Sequence, residues 1–282
     1  MRNFIILFQE KEGTSPLVRL LNHFKHISII HQENDSGYEP FNFHQCGAMR
    51  LPDLMYCIET IYNDDRDFEN KLNRIYTKTA RNPLESFSKD SSVGFKMRFK
   101  PPVKDTAEIL WKYRPFEKMM IDVLKKHNVM VFIAVRQDIF RWALSKYHGD
   151  GTGKKGHIQF KLASGKVNRE DIHKIHVKPR KLNRILKACE YLHTRKRVLM
   201  KKLKRNGIEV YPLLYEDFLE DKHSLLEWMN HILDFPASGD EISSVIQQGE
   251  YFQKVHSDEI SEFVTNHEEI MEKFGNRFVS WR

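Results

Sequence analysis

The sequence is poor in cysteine, and its three cysteines lie far apart. Cys46, Cys57 and Cys189 lack the close spacing that a structural zinc site or a compact disulfide framework requires. This spacing argues against a small disulfide-stapled fold and against a cysteine-rich metal module. We expect the three side chains to be ordinary reduced thiols.

Long apolar runs are also missing. The N-terminal run Phe4–Phe8 is too short for the core of a signal peptide and is followed at once by Glu10, Lys11 and Glu12. No other stretch approaches the roughly 20 apolar residues that a membrane-spanning helix needs. We therefore predict a soluble, cytoplasmic protein with no membrane span.

The charge is mixed, with an excess of basic residues. There are 46 Lys and Arg residues against 38 Asp and Glu, which gives a net charge of +8 and a pI near 9.2. This excess favours an anionic partner, such as a nucleotide, a sulfated or phosphorylated product, a membrane surface or nucleic acid. Because 40% of the 282 residues are hydrophobic, the chain can bury a substantial core, and global disorder is excluded.

Short apolar runs predict the buried strands of an α/β fold. The five predicted strands are Phe4–Phe8, Ile27–Ile30, Ser92–Phe99, Val129–Val135 and Ile208–Leu214. Helical patterns lie between them, and the clearest is the apolar stripe of Thr106–Lys126. Strands that alternate with helices predict a central parallel sheet flanked by helices in three layers, with ligands at the carboxyl ends of the strands.

The chain shows no internal repeat and no low-complexity linker, so we predict a single domain over residues 1–282. Residues 148–179 are rich in Gly, Lys and His and too long for a simple connector, which makes them a candidate lid or hairpin. Residues 221–282 form a predicted helical C-terminal extension that includes an amphipathic helix over Asp258–Phe274.

The connection after the first strand has the composition of an anion-binding loop. Gly13 lets the backbone approach a ligand closely, while Thr14 and Ser15 offer hydroxyls and amides where a helix begins. Lys11 can neutralise charge on a leaving oxygen. The spacing differs from a Walker A loop, which argues against a nucleotide kinase. A plain strand–turn–helix connection with a capping hydroxyl is the alternative.

A second group of polar residues follows the strand Val129–Val135. Arg136 stands at the carboxyl end of this strand, and Asp138 is a predicted N-cap for a helix that carries Ser145 two turns along. An anion near Arg136 could meet Ser145 only if the helix folds back towards it. A simple capping and salt-bridge arrangement is the alternative for this segment.

Together the two segments resemble the nucleotide site of sulfotransferases. The loop Lys11-x-Gly13-Thr14-Ser15 is similar to the Lys/Arg-Ser-Gly-Thr/Ser-Thr loop of cytosolic and bacterial members. The Arg136-x-Asp138 and Ser145 pattern is closest to the bacterial carbohydrate and trehalose sulfotransferases. The strand containing Gly94-x-Lys96 and the Tyr215-Glu216-Asp217-Phe218 ending are also similar to segments of that family.

This resemblance implies a P-loop-like α/β fold and a donor, 3′-phosphoadenosine-5′-phosphosulfate (PAPS). It implies that Lys11, Gly13, Thr14 and Ser15 hold the 5′-phosphosulfate, with Lys11 at the bridging oxygen, and that Arg136 and Ser145 bind the 3′-phosphate. Glu12 departs from the family, which usually has Ser there. A carboxylate beside a phosphosulfate is unfavourable unless it points away or pairs with a cation.

The resemblance further implies a carboxylate base after the second strand. Glu39 is the candidate for this carboxylate, and His44, His31 and Glu33 remain alternatives for the base. Sulfuryl transfer requires no metal. We interpret the pair His173-x-x-His176 as part of a solvated loop and not as a metal pair.

We therefore expect a PAPS-dependent sulfotransferase with a hydroxyl acceptor, on a carbohydrate or glycolipid by the subgroup resemblance. One alternative is a nucleotide-dependent, kinase-like phosphotransferase. Another is a basic nucleic-acid-binding protein that uses the helical stretch Lys181–Arg205. We interpret those cations as a solvated helix face, so nucleic acid is not an expected partner. The sequence does not indicate an oligomeric state.

Overall fold

A computed structural model describes residues 1–30, 51–63, 70, 90–99, 114–151, 174–249 and 259–281. The chain divides into two compact units. The first consists of Met1–Val135 and Lys196–Ile246, and the second of Arg136–Arg195 and Gln247–Arg282. The prediction of a single domain over residues 1–282 stays a prediction.

The first unit is built on a five-stranded, all-parallel sheet with strand order β2-β3-β1-β4-β5. The strands are β1 (Phe4–Phe8), β2 (Ile27–Ile29), β3 (Ser92–Arg98), β4 (Met130–Val135) and β5 (Val210–Leu214). Each predicted strand is present within two residues of its predicted bounds. Strands covered on both faces read as continuous apolar runs, which is why the sequence revealed them.

Helices cover both faces of this sheet, which confirms the predicted α/β fold class. In the first unit they are α1 (Thr14–Leu21), α2 (Leu51–Tyr62), α3 (Arg114–Lys126), α6 (Tyr215–Glu220) and α7 (Lys222–Leu233), with most of α8 (Gly239–Gln248) and the C-terminal part of α5 (Pro179–Arg205) from Lys196 onwards. The core of one face joins β1 and β4 to α1, α7 and α8. On the other face, the Tyr62 ring of α2 stacks on Phe95 at a centroid distance of 6.2 Å.

A close contact inside the sheet requires glycine. Gly94 of β3 lies opposite Phe4 of β1, and the Phe4 ring occupies the space into which a side chain at Gly94 would project. The same ring meets Phe132 of β4 edge-on at a centroid distance of 6.0 Å. Gly94 therefore allows one aromatic side chain to lie across three neighbouring strands.

The second unit contains α4 (Ile139–Gly151), the N-terminal part of α5 (Pro179–Arg205), a 3₁₀ turn (Ile260–Glu262) and α9 (His267–Phe274). Both ends of the segment 148–179, predicted as a lid or hairpin, belong to helices, because α4 continues to Gly151 and α5 begins at Pro179. The lid or hairpin itself stays a prediction. Residues 152–173 lie outside the described part of the chain. In the described ranges, no helix combines the length and apolarity needed to cross a membrane.

The prediction of one continuous helix over Asp258–Phe274 is wrong. The structure has a 3₁₀ turn and then α9, with a break between them. Val264 forms a parallel bridge with Ile175, and the side chain of Asn266 accepts the Val177 amide at 2.9 Å. These long-range bonds offer the backbone partners that a continuing helix would otherwise supply.

Candidate functional site

The connection between β1 and α1 and the first two residues of α1, together residues 9–15, are named here the anion loop. Two of its residues have left-handed backbone conformations, Lys11 with φ 66° and Gly13 with φ 72°. The turn brings the start of α1 to the carboxyl end of β1, and no side-chain hydrogen bond caps that helix. Backbone amides at a helix start, together with the helix dipole, favour an anion.

Gly13 is required by packing as well as by its backbone angle. A side chain at this position would overlap the ring of Tyr215, the first residue of α6. The loop thus lies against the element that follows β5. The Tyr215 segment, noted in the sequence only as a resemblance, supports the back of the anion loop.

Glu12 is buried and does not face outwards from the loop. One carboxylate oxygen accepts the Gln9 amide at 2.6 Å, and the other forms an ion pair with Lys196 of α5. Lys196 is also fully buried and donates to the Ala134 carbonyl of β4 at 2.6 Å. The negative charge that Glu12 brings into the loop is therefore neutralised by Lys196, which is 184 residues away in the sequence.

Lys96 is a site residue that the sequence-based list of candidates did not include. It lies on β3 opposite Ile6, is 1% exposed, and donates to the Ser15 hydroxyl at 2.9 Å. Its ammonium is 4.4 Å from the centroid of the Phe8 ring. A lysine inside an otherwise apolar strand was the signal that could have identified it, because a charged side chain is rarely buried without a specific partner.

Two lysines belong to or contact the anion loop. Lys11 is exposed at the rim, Lys96 is buried beneath Ser15, and Thr14 is buried as the first residue of the helix. The acid Glu10 forms an ion pair with Arg98 of β3. The four predicted residues Lys11, Gly13, Thr14 and Ser15 lie within this one turn.

The second predicted segment, from Arg136 to Ser145, lies in the second unit. Asp138 accepts the Arg141 amide at 2.8 Å, so it is the predicted N-cap of α4. Ser145 is half-buried in α4, about 9 Å along the axis from the first helical residue at a rise of 1.5 Å per residue. The Arg136 side chain would have to extend along the helix to share an anion with Ser145.

The candidate bases Glu39, His44, His31 and Glu33 lie outside the described residues, as does His173. His176 is described and exposed, with its Nδ1 atom 3.4 Å from the Thr265 hydroxyl. Among the residues that the structure describes, no group of three or more His, Cys, Asp or Glu side chains could hold a metal ion. Cys57 and Cys189 are buried thiols.

Comparison with known proteins finds likeness in structure alone. No protein-family model and no curated protein sequence matches the chain. Sulfotransferase STF9 from Mycobacterium avium has a TM-score of 0.45 and 10% identity, over 97% of this chain and 75% of that chain. A sulfotransferase from Alicyclobacillus acidocaldarius has a TM-score of 0.42 and 16% identity, over 98% and 92%.

Both are bacterial sulfotransferases. At these TM-scores and identities the structural similarity does not assign an activity to this chain. The confirmed α/β architecture depends on the parallel sheet and on the helices that cover its two faces.

Proposed function

We propose that this chain is a sulfotransferase that transfers a sulfuryl group from PAPS to an acceptor hydroxyl. The observation that supports this most directly is the anion loop, where Lys96 donates to Ser15 at the start of α1, Lys11 is exposed, and Lys196 neutralises Glu12. The result is a cationic, hydrogen-bond-donating turn, which suits a phosphosulfate. The loop residues therefore fit the donor's 5′ end.

In the proposed reaction, the acceptor oxygen forms a bond to sulfur as the bond from sulfur to the bridging phosphate oxygen breaks. The hydroxyl proton passes to a base, and adenosine 3′,5′-bisphosphate leaves. Lys11 would stabilise the negative charge that develops on the bridging oxygen, and the α1 amides would hold the 5′-phosphate. We assign the base to Glu39 from the sequence resemblance, with His44 as the alternative.

The 3′-phosphate of the donor would bind at Arg136 and Ser145. A guanidinium and a hydroxyl are suitable partners for a phosphate, and Asp138 fixes the start of the helix that carries Ser145. A site of this kind would bind a nucleotide that carries phosphates at both ends more tightly than a nucleotide that carries one. We propose a carbohydrate or glycolipid hydroxyl as the acceptor, on the subgroup resemblance.

Ligand-dependent thermal stability tests the proposed nucleotide. Adenosine 3′,5′-bisphosphate should raise the melting temperature without Mg²⁺, and Arg136→Ala should remove most of that increase. Stabilisation by ATP that depends on Mg²⁺ would instead support a phosphotransferase. Salt-sensitive binding of DNA or RNA that is indifferent to Lys11→Ala would support a nucleic-acid-binding protein.

Transfer from labelled PAPS to a panel of carbohydrate and glycolipid acceptors tests the chemistry. Lys11→Ala should retain part of the nucleotide binding and lose most of the transfer, because charge on the leaving oxygen is no longer stabilised. Lys25→Ala is the matched control, since Lys25 is an exposed lysine after α1. Unchanged turnover in Lys11→Ala would remove Lys11 from the mechanism.

A further inference from the structure

Residues 277–281, named here the clasp, pair with the connection between β4 and α4. The two segments form an antiparallel bridge at Asp138 and Phe278. Two backbone hydrogen bonds of 3.0 Å join them, from the Ile139 amide to the Arg277 carbonyl and from the Val279 amide to the Gln137 carbonyl. The clasp therefore holds the backbone on the C-terminal side of Arg136.

Side chains extend this pairing to Arg136 itself. The Trp281 indole Nε1 donates to His193 Nδ1 at 2.7 Å, and His193 Nε2 lies 2.9 Å from the Arg136 carbonyl. An indole can only donate and a carbonyl can only accept, so these partners select the neutral His193 tautomer with its proton on Nε2. The chain of donors runs from Trp281 through His193 to the Arg136 carbonyl.

Packing around His193 sets the geometry of these hydrogen bonds. His193 is 3% exposed and lies between two tryptophans, with its ring centroid 5.5 Å from Trp142 of α4 and 5.6 Å from Trp281. The Trp281 amide also donates to the Gln137 side-chain oxygen at 2.9 Å. One turn before His193 on α5, Glu190 forms an ion pair with Arg277 at 2.5 Å.

We infer that the clasp is a positioning element for Arg136, and that Trp281 acts through His193 to set the preference for a nucleotide with a 3′-phosphate. This inference rests on the proposed function, which places the 3′-phosphate at Arg136. Fixing the Arg136 carbonyl restricts the backbone from which the guanidinium projects. A restricted side chain loses less entropy when it binds a phosphate than a mobile one does.

The preference for a bisphosphate over a monophosphate tests the positioning of Arg136 better than the affinity for either nucleotide alone. The dissociation constants of adenosine 3′,5′-bisphosphate and adenosine 5′-monophosphate are measured for wild type and for Trp281→Phe, which keeps a ring and removes the indole donor. The wild type should prefer the bisphosphate. In Trp281→Phe this preference should fall by about three- to tenfold, the equivalent of one net hydrogen bond, with little change for the monophosphate.

Two further variants complete the experiment. Phe278→Leu is the control, because Phe278 is 60% exposed and belongs to the same clasp, and its selectivity should equal that of wild type. Gln137→Met removes the acceptor of the Trp281 amide and should lower selectivity in the same direction. It also serves as the test if Trp281→Phe does not fold.

The outcomes separate the positioning role from the proposed function. Equal weakening of both nucleotides would show a merely structural role and overturn the inference. Selectivity unchanged in folded Trp281→Phe and Gln137→Met would overturn it as well. A wild type without any preference for the bisphosphate would overturn the proposed function, and the inference with it, before a variant is measured.

Discussion

A carboxylate inside the anion loop is tolerated because Lys196 neutralises it. Burying two charges costs several kcal/mol per ion in desolvation, which an ion pair offsets only if its remaining atoms are also bonded. Here the second oxygen of Glu12 accepts the Gln9 amide, and Lys196 donates to Ala134 as well. The pair joins the loop to β4 and α5 and leaves the rim of the loop cationic.

Removing one member of this pair should destabilise the protein strongly. Lys196→Met leaves the Glu12 carboxylate buried without its cation, and the free energy of unfolding should fall by about 3–5 kcal/mol. The double variant Glu12→Gln, Lys196→Met should recover most of the loss. Urea denaturation measures both, and Lys201→Met on the exposed face of α5 is the control. Equal destabilisation in the single and double variants would contradict a charge effect.

The start of α4 depends on one capping side chain. Asp138 accepts the amide of Arg141 at 2.8 Å and also meets the Arg141 guanidinium at 3.3 Å. The first bond satisfies a backbone donor at the helix start, and the second is a half-exposed ion pair of small value. Most of the contribution of Asp138 should therefore come from capping.

Two substitutions separate these contributions. Asp138→Ala should lower the free energy of unfolding by about 1 kcal/mol, while Asp138→Asn keeps a capping oxygen and should lower it by much less. Thermal and urea denaturation of the two variants provide the comparison. A loss in Asp138→Asn as large as in Asp138→Ala would assign the effect to the ion pair with Arg141.

Within the first unit, an ion pair ties the start of the chain to the edge of the sheet. Arg2 precedes β1 and binds both carboxylate oxygens of Glu209, at 2.9 and 2.6 Å, just before edge strand β5. The hydrogen bonds from Arg2 lower the pKa of Glu209 below its ordinary value. The pair is partly exposed, and its contribution should be about 1 kcal/mol or less.

The lowered pKa of Glu209 predicts that wild type and Glu209→Gln differ in stability by an amount that depends on pH. Because Glu209 loses its proton more readily in the folded state, its contribution is present above the unfolded pKa and is lost as pH falls through the folded pKa. Glu209→Gln should therefore melt below wild type at neutral pH, and the difference should shrink and disappear as the pH falls through the lowered folded pKa of Glu209. Glu220→Gln, at an exposed position of α6, is the control. A difference that persists in acid would exclude the carboxylate charge as its cause.

The sequence allowed a feature to be predicted when the residues that form it are close together in the sequence. The strands were readable because each is a continuous apolar run, and Asp138 was readable as a cap because capping is local. The helix over Asp258–Phe274 was predicted wrongly because its periodicity contains no information about Ile175, which pairs with Val264. The lysine at position 96 was visible within its predicted strand, but its contact with the loop was not, since its partner Ser15 is 81 residues away.

The sequence by itself determined the α/β class and the strand–loop–helix order around Gly13, because both depend on neighbouring residues: apolar runs, a glycine in the turn, and hydroxyls at a helix start. Tertiary structure alone decided how the charges in that loop are arranged. Glu12 turns inward because α5 brings Lys196 beneath it, and Lys96 reaches Ser15 because β3 lies beside β1. Parallel strands require crossovers, so residues that meet at one sheet edge are distant in sequence, and their contacts leave no local pattern.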